Sequence, residues 1–273
     1  MMEKVLILGA SGLVGRALSD ELKDGFDVYG TYSTTLPSLP VGKQFQLEVK
    51  QTDKLKEIIH AIKPSMVISC LRGDYDHQLK FHKELASELH NKDSRLYFIS
   101  TTNVFDGDYS RPYTETDLPF SQSDYGNFKI ECEKMLRETL AERAMIIRIP
   151  AIWGKDSPRY HAIKESIKSQ KVIDVYSNLV CNNLLDIQLA KQLRFIIESK
   201  LKGIFHLGSV DRMTQGQFYE QIISKLESEN SLLNYHLFQD MTETFYFTLK
   251  SNREDMPSSL QSTNMDIISY LLG

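Results

Sequence analysis

The opening segment Val5-Leu-Ile-Leu-Gly9-Ala-Ser-Gly12-Leu-Val-Gly15 restricts this chain to few folds. A short apolar strand runs directly into a turn with glycine at every third position. A helical stripe of Leu13, Val14, Ala17, Leu18 and Leu22 follows at once. In such a strand-turn-helix unit the first glycine permits the tight turn and the second lets the backbone approach a phosphate. The third lets helix and strand pack closely, and the anion meets free amides at the helix N-terminus. The spacing is G-x-x-G-x-x-G rather than G-x-G-x-x-G, and a plain strand-to-helix turn is the simpler alternative. Read as a dinucleotide site, it engages Gly9, Ser11, Gly12, Leu13, Val14 and Gly15.

The same rhythm continues downstream. Strands are expected at Val5–Leu8, Asp27–Thr31, Phe45–Val49, Met66–Cys70, Leu96–Ser100 and Met145–Ile149. Several are continuous apolar runs, as strands covered on both faces require. Between them fall helical stripes such as Leu55, Ile58, Ile59 and Ile62, ended by Pro64, and Leu79, Leu85 and Leu89. Strand alternating with helix predicts an α/β fold, a doubly wound parallel Rossmann sheet. Ligands then sit beyond the carboxyl ends of the strands, where Gly9, Cys70 and Thr101 stand. After Gly154 the alternation loosens. Residues 1–154 are assigned to the nucleotide-binding domain, with 186–208 returning to it as a helix from Asp186 and a strand over Gly203–Gly208. Residues 155–185 and 209–273 are left for a smaller C-terminal substrate lobe over the cleft. At 273 residues the chain is long enough for this division.

The chemistry is carried by Tyr125-Gly-Asn-Phe-Lys129. Four residues apart on a helix, Tyr125 and Lys129 share a face. There the lysine cation can stabilise a phenolate and bring a proton donor into the neutral range. Upstream, Leu96-Tyr-Phe-Ile-Ser100-Thr101 is an apolar strand ending in hydroxyls, and Thr101 can hydrogen-bond a carbonyl there. Nucleotide turn, hydroxyl strand end and Tyr/Lys helix, in that order, indicate nicotinamide-dependent carbonyl chemistry. The second strand ends Thr31-Tyr32-Ser33-Thr34, without a carboxylate to repel a 2′-phosphate, so Tyr32 and Ser33 point to NADP(H) over NAD(H). The arginine expected of such a site is missing too.

Other features exclude classes of function. A net charge of −4 gives no electrostatic case for nucleic acid or an acidic membrane. Cys70, Cys132 and Cys181 are isolated and odd in number, which fits reduced thiols, and no metal site is expected. The first strand starts right after Met1-Met-Glu-Lys4, leaving no room for a signal peptide, so a cytoplasmic protein is expected. His77, His82 and His90 lie along one helix without metal-pair spacing and are read as solvated or capping. Trp153 is read as core that could border the substrate, Phe245-Tyr246-Phe247 as core of the small lobe, and Asp106 and Asp108 as turn formers.

The motifs together resemble the extended short-chain dehydrogenase/reductases, and most closely their dTDP-4-dehydrorhamnose reductase branch. The residues that carry this are the glycine turn, Ile99-Ser-Thr101-Thr-Asn-Val-Phe105-Asp106-Gly107, Tyr113-x-Glu115-x-Asp117-x-Pro119 and Tyr125-Gly-x-x-Lys129. Arg148-Ile-Pro-Ala-Ile-Trp-Gly154, Asp186-x-x-Leu-Ala190, Gly203-Ile-Phe-His206-Leu and Pro257-Ser-Ser-Leu260 extend it over almost the whole chain. The resemblance implies that Thr101 orients the carbonyl and Tyr125 is the general acid. It implies that Lys129 holds the nicotinamide ribose and lowers the tyrosine pKa. It also implies a nucleotide-sugar substrate with a 4-keto-6-deoxyhexose, and is compatible with a homodimer. Two sugar-holding positions depart from the family's pattern, being Thr102 and Asn103 here. The cofactor-lining loop, usually rich in alanine, reads Cys70-Leu71-Arg72. Arg72 could bond a phosphate or pair with Asp74 or Asp76. A sugar-nucleotide epimerase and a non-catalytic nucleotide-binding regulatory subunit are the alternatives.

Overall fold

The computed structural model describes residues 2–226 and 232–273. Met1 and residues 227–231 of the expected small lobe lie outside the described residues. The chain runs β1 (Lys4–Leu8), α1 (Leu13–Leu22), β2 (Asp27–Tyr32), β3 (Gln44–Gln46), α2 (Thr52–Ile62), β4 (Met66–Ser69), α3 (Tyr75–His90), β5 (Arg95–Thr101), α4 (Asp124–Leu140) and β6 (Ala144–Ile149). Then come β7 (Ala151–Trp153), α5 (Pro158–Lys168), β8 (Ile173–Tyr176), β9 (Leu179–Cys181), β10 (Asn183–Leu185), α6 (Asp186–Glu198) and β11 (Ile204–His206). The remainder is β12 (Met213–Thr214), α7 (Gln215–Leu226), β13 (Leu233–His236), β14 (Phe245–Phe247) and α8 (Asn264–Leu272).

Seven parallel strands form the main sheet in the order β11-β6-β5-β4-β1-β2-β3. The order reverses between β1 and β4, and a crevice opens there at the carboxyl ends. The apolar runs explain the layers. Val5, Ile7, Ile68, Tyr97 and Ile147 face α1 and α6 on one side. Leu6, Leu8, Val67, Phe98 and Ile146 face α2, α3 and α4 on the other. This is the doubly wound Rossmann-like α/β sheet that the alternation predicts. A separate apolar cluster, with Trp153, Tyr160, Ile163, Phe218, Ile222 and Ile268, gathers β10, α5, α7 and α8 beside the sheet ends.

Three expectations need correction. The third strand is shorter and earlier than Phe45–Val49: Leu47 still donates to the Tyr32 carbonyl at 2.8 Å, but Gln51 closes a turn on Glu48 and the chain leaves the sheet. His82 is neither solvated nor a cap. It is fully buried, with Nε2 2.8 Å from Ser69 Oγ and Nδ1 2.7 Å from the Gln78 carbonyl, and burial pulls its pKa down to about 3. The aromatic run Phe245–Phe247 is half-buried edge strand β14 on β9, outside the lobe's apolar cluster, with Phe247 facing the cleft.

The outer edge of β11 is occupied by side chains. The His206 amide donates to Glu115 Oε1 at 3.1 Å, and Arg253 donates to the Lys202 and Ile204 carbonyls at 3.0 and 3.3 Å. No helix among the described residues is long and apolar enough to cross a membrane.

Candidate active site

The glycine turn is tied to β2. The Gly9 amide donates to Thr31 Oγ1 at 3.1 Å and the Ala10 amide to the Thr31 carbonyl at 2.8 Å. Gly9 has φ +84°, which favours glycine. A Cβ on Gly15 would lie 2.2 Å from the Gly9 carbonyl oxygen, so only glycine lets α1 seat this closely. Gly12 caps α1 without any side-chain bond, and no acidic residue stands in the first turn. The first amides of α1 therefore have no partner within the helix and carry its positive dipole end. This donor set suits a diphosphate.

Helix α4 starts where Ser123 Oγ accepts the Gly126 amide at 3.0 Å. A Cβ on Gly126 would stand 2.3 Å from the Asn103 carbonyl oxygen, so the helix start is pressed onto the turn after β5. Asp106 fastens the two together. Its buried carboxylate accepts Ser121 Oγ at 2.5 Å, the Gln122 amide at 2.9 Å and Ser123 Oγ at 2.5 Å. Asp106 is thus a fastening between two elements and more than the turn former expected of it.

On α4, Lys129 is buried, and its Nζ donates to the Ile99 carbonyl at 2.8 Å and lies 4.4 Å from the centre of the Phe98 ring. Burial pulls its pKa down to about 8. Tyr125 is half-buried under Tyr75, with ring centres 5.6 Å apart. Burial raises the Tyr125 phenol; the Arg72 cation and contact with the Thr101 hydroxyl oppose this without overcoming it. The expectation that Lys129 brings the phenol down is corrected here. The Lys129 ammonium is engaged with Ile99, 5.9 Å from the Tyr125 ring centre, and Arg72 is the cation that acts.

The glycine turn, Thr101, Tyr125 and Lys129 border one cleft of about 1750 Å³ between the sheet ends and the smaller set of elements. Gly9, Ser11, Gly12, Leu13, Val14 and Gly15 form one end, with Tyr32 and Ser33 beside them. Cys70, Leu71 and Arg72 form a side wall, and Thr101, Tyr125 and Lys129 stand together in the middle. Arg72 pairs with no carboxylate among the described residues; Asp74 instead caps α3 through the His77 amide. The assigned sugar contacts are less available. Thr102 is 2 % exposed with its hydroxyl donated to the Ile149 carbonyl, and Trp153 is 1 % exposed with its indole N–H donated to Asn183. Asn103 is engaged with Thr101 and Asp106. Residues not singled out from sequence also border the cleft: Lys50, Tyr75, Arg159 and Tyr219. Their positions depend on loop and lobe placement, which local pattern does not encode.

Behind the site lies a buried polar chain. Ser100 Oγ donates to Glu133 Oε1 at 2.5 Å, Arg148 pairs with Glu133 at 2.6 Å, and Arg148 reaches His206 Nε2 at 3.2 Å. It links β5, α4, β6 and β11, and burial pulls the His206 pKa down to about 4. Among the described residues no group of His, Cys, Asp and Glu is placed to hold a metal ion.

Comparison with known proteins agrees with this architecture. The family model described as the RmlD substrate binding domain matches residues 2–244. A methionine adenosyltransferase 2 subunit beta from Danio rerio is 27% identical over 270 residues, covering 88% of this chain and 77% of its own. A dTDP-4-dehydrorhamnose reductase from Aggregatibacter actinomycetemcomitans is 25% identical over 272 residues, covering 91% and 87%. The crystal structure of dTDP-4-dehydrorhamnose reductase from Bacillus anthracis in complex with NADP shares the fold, with TM-score 0.83, 19% identity and 99% coverage of each chain. The glycine turn, the Tyr/Lys helix and the match over most of the chain converge: this protein belongs to the RmlD substrate-binding-domain family, in the dTDP-4-dehydrorhamnose reductase-like branch of the extended short-chain dehydrogenase/reductases.

Proposed function

We propose that the protein is an NAD(P)H-dependent reductase of a nucleotide-linked 4-keto-6-deoxy sugar, with Tyr125 as proton donor. The observation that carries this reading is the meeting of Thr101, Tyr125 and Lys129 in one cleft that ends on the glycine turn. Gly9, Gly12 and Gly15, with the free amides of α1, hold the cofactor diphosphate, and Lys129 holds a ribose hydroxyl. Tyr32 and Ser33 border the adenosine ribose, and the lack of a carboxylate there favours NADP(H). Residues 1–154 with 186–208 form the cofactor half, and 155–185 with 209–273 close over the sugar nucleotide. The bound cofactor supplies hydride to the C4 carbonyl carbon. Tyr125 delivers its phenolic proton to the carbonyl oxygen, which leaves an alcohol and a phenolate that solvent reprotonates.

The relatives named as methionine adenosyltransferase 2 subunit beta support a second reading, in which the chain binds a nucleotide and serves a partner enzyme without turnover. The engagement of Thr102 and Asn103 within the protein favours it, while the retained Thr101, Tyr125 and Lys129 favour the reductase. NADPH oxidation on adding a dTDP-linked 4-keto-6-deoxyhexose decides between them, with Tyr125→Phe run alongside. The reductase reading expects oxidation by wild type and a loss of roughly 10²–10⁴-fold in the variant. NADPH binding without oxidation of that sugar or of its 4-keto analogues moves the weight to the subunit reading.

A further inference from the structure

The side chains assigned to the sugar from sequence are turned inward. Thr102 and Trp153 are buried with their donors spent inside the protein, and Asn103 is engaged with Thr101 and Asp106. Another group stands where a sugar needs holding. Among the aromatic residues that line the cleft, Tyr75 alone is exposed, at 41 %. Its ring is stacked on Phe128, 11° from parallel with centres 5.2 Å apart. It is tilted 37° over Tyr125, with centres 5.6 Å apart. Both partners belong to α4, so the ring rests on that helix while its exposed remainder borders the cleft. The backbone beneath it is fixed. Tyr75 is the first residue of α3, which Asp74 caps through the His77 amide at 3.0 Å. The buried Gln78 ties down the loop before it, donating from Nε2 to the Gly73 carbonyl at 2.8 Å.

We propose that Tyr75 is a substrate-positioning residue, an aromatic platform against which the apolar face of the 6-deoxyhexose ring lies while its carbonyl meets Tyr125. This rests on the reductase reading and names the residue that holds the sugar in it. A hexose ring presents a face of C–H groups, and a 6-deoxy sugar adds a methyl group. A flat aromatic ring takes that surface out of water, and a tyrosine loses little conformational freedom in doing so. A carbonyl hydrogen-bonded to Tyr125 brings the rest of its ring within reach of a side chain centred 5.6 Å from the Tyr125 ring. In the reductase reading the cofactor is held by other groups, the first amides of α1 and Lys129, which leaves Tyr75 for the substrate. Thr102 and Asn103 are the positions at which the chain departs from its family's sugar-holding pattern, and Tyr75 stands in for them.

The test is calorimetric binding without turnover, to protein saturated with oxidised NADP. It compares dTDP with a dTDP-linked 6-deoxyhexose in wild type, Tyr75→Phe and Tyr75→Leu. Wild type should bind the sugar nucleotide more tightly than dTDP. Tyr75→Leu keeps an apolar side chain but loses the flat ring. It should weaken sugar-nucleotide binding roughly three- to tenfold, the value of an aromatic contact beyond its area, with the affinities for dTDP and NADP unchanged. Tyr75→Phe keeps the ring and should stay within about twofold of wild type. A wild type that binds the sugar nucleotide no more tightly than dTDP overturns the proposal. So does a Tyr75→Leu protein that loses nothing, or that loses affinity for dTDP or NADP to the same extent, because the ring is then a packing or cofactor group. Turnover is read separately: Tyr75-dependent sugar binding without NADPH oxidation sinks the reductase reading and leaves the platform standing.

Discussion

Tyr125 carries the proposed chemistry, and its surroundings set when it can act. Reduction needs the protonated phenol. Burial raises its pKa, so the reductive rate should hold through neutral and mildly alkaline pH and fall only above the ordinary tyrosine range. Arg72 pulls the other way, so Arg72→Met should move that alkaline limb further up; a pH–rate profile reads the shift, and a limb that stays in place contradicts the assigned contact. Lys129 is buried against Ile99 and Phe98, and Lys129→Met should weaken NADPH binding by roughly tenfold or more through the lost charged hydrogen bond. Fluorescence titration of NADPH measures this, and unchanged affinity counts against a ribose contact. At this scale the sequence was partly readable. The four-residue Tyr/Lys spacing identified the pair, but which cation faces the phenol depends on a loop from another strand. Asp106 was visible as a turn residue, while its service as a fastening became visible only when residues 121–123 folded onto it.

Elements are held in place by contacts far apart in the chain. Helix α4 must keep its register for Tyr125 and Lys129 to reach the cleft, and Glu133, one turn beyond Lys129, anchors it to β6 through Arg148. Both partners are almost fully buried. Arg148→Met leaves the Glu133 charge uncompensated and should cost about 3–5 kcal/mol, whereas Arg148→Met with Glu133→Leu should recover a large part. Denaturant midpoints of the single and double variants check this, and equal losses would mean that the pair is not the source. The apolar runs revealed six strands of the main sheet because both faces of each are covered. The third strand was misjudged because it lies at the edge, where a short pairing with β2 gives way to the turn at Glu48–Gln51. The Glu133–Arg148–His206 chain was illegible because its members come from three elements and no local period relates them.

The molecule as a whole carries a penalty at acid pH. His82 is buried neutral, its pKa held near 3 against an ordinary 6.5. The unfolded chain binds that proton more readily, so the stability that the neutral imidazole contributes is present above about pH 6.5 and is lost as pH falls towards about 3. His82→Gln removes the titration, and the drop in stability between pH 7 and pH 5 should shrink by about 2 kcal/mol relative to wild type. Thermal unfolding at the two pH values checks this, and identical drops would place the acid sensitivity elsewhere. The fold class was legible because strand and helix alternate so regularly in the first half. Past Gly154 short strands from distant segments pair with one another, as β8 does with β13, and sequence pattern loses its grip. The plugged rim of β11 has a consequence for life in a crowded solution. With Glu115 and Arg253 seated on its amide and carbonyls, that border cannot recruit another chain's strand, and the opposite border, β3, offers only three residues. Both borders of the main sheet are thus closed or cut short, so copies of this protein gain little by extending that sheet edge to edge.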